Sequence, residues 1–321
     1  MIAISPRGFV VAAFVMCLAV NGNAEQGGSS GGGTLKGFLA AHGFAGAPLE
    51  RRLGNHLFVS ALINNKRTGV MIDTGSPFTL INKDSVSTLG LSVEKTTARV
   101  GRVFGWTSEH FGIAKLNSMA MGNCTLTNVP VAVADASDMN FYSRLPNIDG
   151  LFGAREMAKF GVVIDCGHQM LYISPNGPSS GTSQQLAVFL AGRGFTRIPL
   201  RFTSNHHFDV EAAINGHPVR LLVDTGAGTT LVSKEVAVQA GVVPAPLLPA
   251  DSGDGHQVTI SGGYAKELSI GEFKITNPEL EMANVAKDMS AGLLGEEYLS
   301  FNFAVIDVGG LSLYLRHADS R

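Results

Sequence analysis

The chain has 321 residues, 45% of them hydrophobic and only 16% charged, with 24 Lys+Arg against 26 Asp+Glu. Disordered chains are charge-rich and apolar-poor, so disorder is excluded; a net charge of −2 without a basic block leaves no electrostatic footprint for nucleic acid. The length suits about two domains, and 39 Gly with 13 Pro favour turns and short strands over long helices.

Residues 1–24 read as an export signal. Arg7 is their only charge, an apolar run extends from Phe9 to Val20, and Gly22-Asn23-Ala24 places small residues at the cleavage positions. The run is short of the ~20 residues a spanning helix needs, and Met16 is bulky where a lipoprotein signal has a small residue before its cysteine. The expected product is exported, periplasmic or secreted, with no membrane span. Signal removal leaves Cys124 and Cys166, for which a disulfide and two buried thiols are both open readings. Residues 25–34 form a flexible Gly/Ser-rich tether. One lobe then occupies 35–173, a Pro/Gly/Ser-rich linker 174–185, and a second lobe 186–321.

The two lobes repeat each other. At an offset of 151 residues, Phe38-Leu-Ala-Ala-His-Gly-Phe44 resembles Phe189-Leu-Ala-Gly-Arg-Gly-Phe195, and Ile63-Asn64 matches Ile214-Asn215. Asp73-Thr74-Gly75 matches Asp224-Thr225-Gly226, and Thr79-Leu80 matches Thr230-Leu231. Later the offset becomes 142, pairing Gly150-Leu-Phe-Gly153 with Gly292-Leu-Leu-Gly295 and Val163-Ile-Asp165 with Val305-Ile-Asp307. An internal duplication explains the pattern.

Within each copy the grammar is β. Alternation through Val210, Ala212 and Ile214 predicts a half-buried strand. Asn64-Asn65 and Asn215-Gly216 predict hairpin turns. Val70-Met71-Ile72 and Leu221-Leu222-Val223 predict buried strands, each ending at Asp-Thr-Gly. Short helices are expected from Lys83 to Leu89 and from Lys234 to Ala240, stopped by Gly90 and Gly241. The expected fold class is all-β: two homologous β-barrel lobes with the chemistry between them.

A lone Asp-Thr-Gly is an ordinary turn, with Asp accepting backbone hydrogen bonds. Here it occurs twice at equivalent points, each time after a buried strand. Burying a carboxylate is costly unless it is partnered, and two such strands from two lobes can partner each other.

The set of motifs resembles the pepsin-like and retropepsin-like aspartic proteases, in which each lobe supplies one Asp-Thr-Gly. Ile148-Asp-Gly-Leu-Phe-Gly153 and Gly292-Leu-Leu-Gly-Glu-Glu-Tyr-Leu299 match the family's apolar-apolar-Gly segments behind the catalytic loops. The resemblance covers most of residues 35–316 and is closest to a retropepsin dimer fused into one chain, hence a monomer. It implies a catalytic dyad of Asp73 and Asp224 that activates water for peptide hydrolysis without cofactor or metal. Thr74 and Thr225 are then expected to brace the loops across the lobes, while Gly75 and Gly226 let backbone pass close to the carboxylates. Ser76 supplies the hydroxyl that pepsin-like enzymes place beside the dyad; Ala227 is the retropepsin choice. A flap is implied across Val103–Gly112, with Gly105 and Trp106 against bound peptide; a Trp106 packed in a surface hairpin is the other reading.

Other chemistries lack their motifs. Gly-x-Ser-x-Gly falls only within the Gly/Ser-rich tether (Ser29, Ser30) and the linker (Ser179), no Gly-Lys-Ser/Thr loop occurs, Gly226-Ala-Gly228 has Leu231 where a dinucleotide fingerprint needs its third glycine, and His206-His207-x-Asp209 reads as solvent-exposed strand-end histidines rather than a metal site. The expected partner is a peptide or protein substrate. A binding protein holding peptide on the same scaffold without cutting it is the alternative; both acids are intact, which favours the enzyme. Exported material should begin at Glu25 on N-terminal sequencing, and Met1 retained in a membrane fraction would refute cleavage.

Overall fold

A computed structural model describes residues 33–96, 100–101, 107–108, 111–134, 148–246, 250–251, 257–285 and 290–318. The segment read as an export signal and most of the expected tether therefore lie outside the described residues, as do Gly105 and Trp106.

The first lobe is organised around the hairpin of Leu57–Ile63 with Lys66–Asp73. Its turn residues Asn64 and Asn65 both take positive φ (47° and 64°), as a primed two-residue turn requires. Gly150–Gly153 runs parallel to the end of Lys66–Asp73, so that Gly153 lies opposite Asp73, and antiparallel to Leu80–Asn82. Cys124–Ala134 and Phe111–Met121 continue the sheet, and the latter pairs back onto Leu57–Ile63. Six strands thus close a barrel. Closure satisfies every edge of a small sheet, and the alternating inward residues Val59, Ala61, Ile63, Leu116, Leu126 and Val131 fill it.

The second lobe repeats this order with Phe208–Ile214, His217–Val223, Gly292–Leu294, Leu231–Ser233 and Glu279–Ala283. It is a half-barrel, because the two long strands of the first lobe are each broken here. Ser261–Tyr264 and Glu267–Ile270 replace one, Phe273–Thr276 and Glu279–Ala283 the other. The break falls at Asn277, whose φ is 50°, and at Pro278, which has no N–H to give a ladder. Each lobe also carries a two-residue ladder at corresponding positions, Val100↔Ser108 with Gly101↔Thr107 and Ala250↔Val258 with Asp251↔Gln257.

A six-stranded antiparallel sheet joins the lobes. Ala45–Arg51, Met170–Ile173 and Val163–Asp165 come from the first, Val305–Asp307, Ser312–Leu315 and Thr196–Pro199 from the second. At its centre the repeated Val-Ile-Asp segments pair with each other, Ile164 opposite Ile306, around a local two-fold axis. Strand periodicity sorts the side chains: Ile164, Ile306, Leu171 and Leu313 face the main core, while Val163, Val305, Tyr172 and Tyr314 face two helices. Those helices, Leu35–Ala41 and Ser180–Ala191, are the repeated Phe-Leu-Ala segments of the sequence, and the rings of Phe38 and Phe189 meet 4.6 Å apart.

The helix expected from Lys83 to Leu89 is only the 3-10 turn Lys83–Ser85, two further expectations change and one open reading is decided. The second helix starts at Ser180, inside the segment read as linker, because Ser179 caps it through the Thr182 N–H and Leu186 and Leu190 give it a buried face. Short helices Ala154–Lys159 and Glu296–Phe301 follow the two Gly-apolar-apolar-Gly strands, where only strands and turns were expected. Cys124 and Cys166 are buried free thiols in the main core, which is the second of the two open readings.

Leu39 is fully buried between its helix and the joining sheet. Leu39→Ala should lower unfolding stability by about 2–5 kcal/mol in urea titration. Val188→Ala, at a position 76% exposed on the neighbouring helix, should change it by less than about 0.5 kcal/mol.

Candidate active site

Each Asp-Thr-Gly is delivered by a strand whose last residues have no access to water. Val70, Met71 and Ile72 precede Asp73, and Leu221, Leu222 and Val223 precede Asp224; the two acids are 3% and 8% exposed. Asp73 Oδ1 accepts the N–H groups of Gly75 and Ser76, both at 2.9 Å, and Asp224 Oδ1 accepts that of Gly226 at 2.8 Å.

The loops interlock through their threonines. Thr74 Oγ1 donates to the Val223 carbonyl (2.7 Å) and accepts the Thr225 N–H (3.0 Å); Thr225 Oγ1 donates to the Ile72 carbonyl (2.8 Å) and accepts the Thr74 N–H (3.1 Å). Four buried cross-lobe hydrogen bonds each contribute about 1 kcal/mol, and leaving one buried partner unpaired costs more. The glycines explain themselves here by space. A Cβ on Gly75 would stand 2.3 Å from Asp224 Oδ1, and one on Gly226 would stand 2.4 Å from the Asp73 carboxylate. Each carboxylate therefore lies against the other lobe's glycine.

The two carboxyl groups also hydrogen-bond each other. Ionised carboxylates only accept, so such a bond requires a proton on one of them. Burial, and next the charge of Asp73, raises the Asp224 carboxyl well above the ordinary range. Ser76 contributes its N–H, but its hydroxyl donates to the Phe78 carbonyl at 2.9 Å rather than serving the dyad.

A supporting layer was not read from the sequence. In the first lobe Thr79 Oγ1 accepts the Gly153 N–H, and the Thr79 N–H donates to Glu156. In the second, Thr230 Oγ1 accepts the Gly295 N–H, and its N–H donates to Glu297. These bonds pin each Asp-Thr-Gly turn to the helix behind it. The paired threonines were visible at an offset of 151, but the glutamates lie 141 apart and escape an alignment at 142. Glu296, fully buried, is held by Arg51 at 3.0 Å and by the Ser300 hydroxyl at 2.6 Å. Arg51, which also donates to the Cys166 carbonyl, belongs to the first lobe and Glu296 to the second, so this ion pair spans the lobes.

His206 and His207 are half-buried rather than exposed. The His206 ring stands edge-on to Phe78 and packs against Phe202. Among the described residues no group of three or more His, Cys, Asp or Glu is placed to hold a metal ion. None of their helices is long and apolar enough to cross a membrane.

A family profile described as "Aspartyl protease" matches residues 59–155 and 210–298, together more than half of the chain. Among solved structures the chain is similar to a retropepsin-like aspartic protease from Rickettsia conorii, with 20% identity over 40% of this chain and 89% of that one (TM-score 0.29). It is also similar to basic 7S globulin from soybean, with 12% identity over 85% and 94% (TM-score 0.47). Conglutin gamma, a basic 7S globulin from lupine seeds, shares the fold with 9% identity over 85% and 94% (TM-score 0.51). No curated protein sequence matches the chain.

Burial pushes Glu296 and Glu297 each up to about 7. A carboxyl with a raised folded pKa binds its proton more tightly in the native state, so its stabilisation is full below its unfolded pKa and is lost as pH rises through about 7. His56, lowered by burial to about 4, acts oppositely but only below the ordinary histidine value. Between about pH 4.5 and 7 the two glutamates should therefore lower the thermal midpoint as pH rises, and Glu297→Gln, which keeps an acceptor for Thr230, should flatten that fall. An unchanged slope in the variant would mean that Glu297 ionises normally.

Proposed function

The chain belongs to the aspartyl protease family, and from that premise we propose that it is an exported, monomeric endopeptidase whose dyad is Asp73 and Asp224. The observation that supports this most directly is the close placing of two buried carboxyls, each set against the opposite glycine. Two acids so close cannot both ionise, an arrangement for which this clan is the standard example in general accounts of coupled carboxyls.

In this reading Asp73 is the ionised member, supported by the Gly75 and Ser76 N–H groups, and Asp224 carries the proton. A water between them gives one proton to Asp73 as its oxygen bonds the scissile carbonyl carbon. Asp224 passes its proton to the carbonyl oxygen, producing a neutral tetrahedral diol. Collapse returns a proton from the diol to the second carboxyl while the amide nitrogen receives the one held by the first, and the C–N bond breaks. No bond to the protein forms at any stage. The threonine bonds make the two acids one rigid unit, so little reorganisation is needed during reaction. Peptide would lie across the lobe junction above the dyad.

Mature protein incubated with a mixed peptide library should release internal cleavage products, and pepstatin should suppress them. Asp73→Asn and Asp224→Asn should each reduce kcat/KM by at least about 10³-fold, and the double variant should be scarcely worse, because the pair acts as a unit. Wild-type activity should fall at high pH as the second proton leaves. A folded single variant with full activity would exclude this dyad; specific peptide binding without cleavage by wild type would establish the binding-protein reading.

A further inference from the structure

The dyad is symmetric, but its flanks are not. The 151-residue offset that relates Asp73 to Asp224 also relates Phe78 to Thr229, His206 to Asn55 and Phe202 to Arg51. On the Phe78 side the lobe junction is bridged by rings. His206 of the second lobe stands edge-on to Phe78, with 5.8 Å between centroids, and Phe202 lies 5.6 Å from His206. On the Thr229 side the same bridge is polar. Asn55 Nδ2 of the first lobe donates to the Gly228 carbonyl at 3.3 Å, and Arg51 donates to Asn55 Oδ1 at 2.8 Å. Equivalent contacts are thus made once by aromatic faces and once by hydrogen bonds.

The neighbouring strands repeat the contrast. Ala132 pairs with Leu80 and donates its N–H to the Thr79 carbonyl at 2.9 Å; Glu281 pairs with Leu231 and donates its N–H to the Thr230 carbonyl at 3.2 Å. A buried methyl in the first lobe is therefore a partly exposed carboxylate in the second, where Glu281 accepts the Thr229 hydroxyl at 2.9 Å. The other charges nearby are already engaged. Arg155 lies over the Phe78 ring, 4.9 Å from its centre, but pairs with Glu156 at 2.8 Å, so this flank presents a half-buried ring rather than a net charge. Opposite, Arg51 is held by Glu296 at 3.0 Å and Glu297 accepts the Thr230 N–H, which leaves Glu281 as a partly exposed negative charge.

A peptide crossing a site with exact two-fold symmetry could run in either direction, because the axis exchanges the two. We infer that the unlike flanks break this tie: the Phe78–His206 flank takes an aromatic or large aliphatic side chain, the Thr229–Glu281 flank a basic or polar one, and the substrate is a peptide carrying both in one order. An apolar side chain against Phe78 removes apolar surface from water and finds a ring for offset or edge contact. A lysine there would lose hydration and meet only a carboxylate that Arg155 already occupies. On the other flank Glu281 can pair with an ammonium or guanidinium, whereas an apolar side chain would strip water from the carboxylate without replacing it. Each flank thus attracts one class and rejects the other, which is how discrimination is obtained.

These subsites rest on the protease reading, which lays peptide across the lobe junction, but their primary test needs no hydrolysis. Immobilised Asp224→Asn protein would be exposed to a random peptide library and the retained peptides sequenced. They should carry an aromatic or large aliphatic residue and a Lys or Arg at one fixed spacing and in one order. In the same background Phe78→Thr, which copies the other lobe's residue, should weaken the aromatic preference at least roughly tenfold and leave the basic one. Glu281→Gln, which keeps an acceptor for Thr229, should weaken the Lys/Arg preference by roughly twofold to fivefold and leave the aromatic one. Both orders retained equally, preferences that neither variant moves, or no retained peptide would overturn the proposal. Cleavage by wild type at bonds without this asymmetry would overturn it and leave the protease reading intact; ordered binding by Asp224→Asn without cleavage by wild type would do the reverse. Should Phe78→Thr not fold by circular dichroism, Phe78→Leu decides: the aromatic preference should give way to an aliphatic one, and an unchanged preference would refute the subsite.

Discussion

Two like-charged groups buried side by side repel each other by far more than any single hydrogen bond returns, and everything else in this protein is arranged around making that contact tolerable. Asp73 and Asp224 coexist because one proton serves both and because backbone N–H groups surround the charge that remains. Neither condition survives a displacement of an ångström. The cross-bonded threonines supply the necessary register, with each hydroxyl reaching the main chain just before the other lobe's aspartate. Glycine then removes the only atom that would keep the loops apart.

The scaffold behind the loops is built to hold that register. A Gly-apolar-apolar-Gly strand lies parallel to the strand carrying each aspartate, and its following helix returns a glutamate to the threonine beyond the loop. The symmetry is not complete. Glu296 has Ala154 as its counterpart, and its pairing with Arg51 ties the second lobe's helix to the end of the first lobe's joining strand. Such a buried pair adds little net stability, since desolvation offsets attraction; what it fixes is the relative setting of two elements from different lobes.

The duplication, the two Asp-Thr-Gly loops and the apolar strands leading to them are legible in the sequence because they rest on spacing and on strand periodicity. The Asn64-Asn65 and Asn215-Gly216 turns are legible for a local reason, the need for positive φ. What escapes is what depends on the other copy. Glu156 and Glu297 act alike but sit one position out of the repeat's register. Ser179–Gln185 looks like linker because Pro178, Ser179 and Gly181 resemble a breaker cluster, whereas the serine is a helix cap. The Ser76 hydroxyl was placed by resemblance, and a nearby carbonyl takes it instead.

The centre of the joining sheet has a consequence for how the chain reaches its native form. Val163–Asp165 is paired on one side by Met170–Ile173 but finds its other hydrogen-bonding neighbour in Val305–Asp307, so a first lobe that has otherwise folded presents one bare strand edge of apolar residues. At synthesis rates of about 5–20 residues per second, that edge waits on the order of ten seconds or more for its match. A second nascent copy offers the same Val-Ile-Asp segment, which pairs with itself by symmetry, and bare edges of this kind are templates for association. The internal two-fold axis that brings the lobes together thus also makes half-finished chains mutually adhesive, and dilution or a holding chaperone during that interval governs how much of the chain becomes single folded molecules.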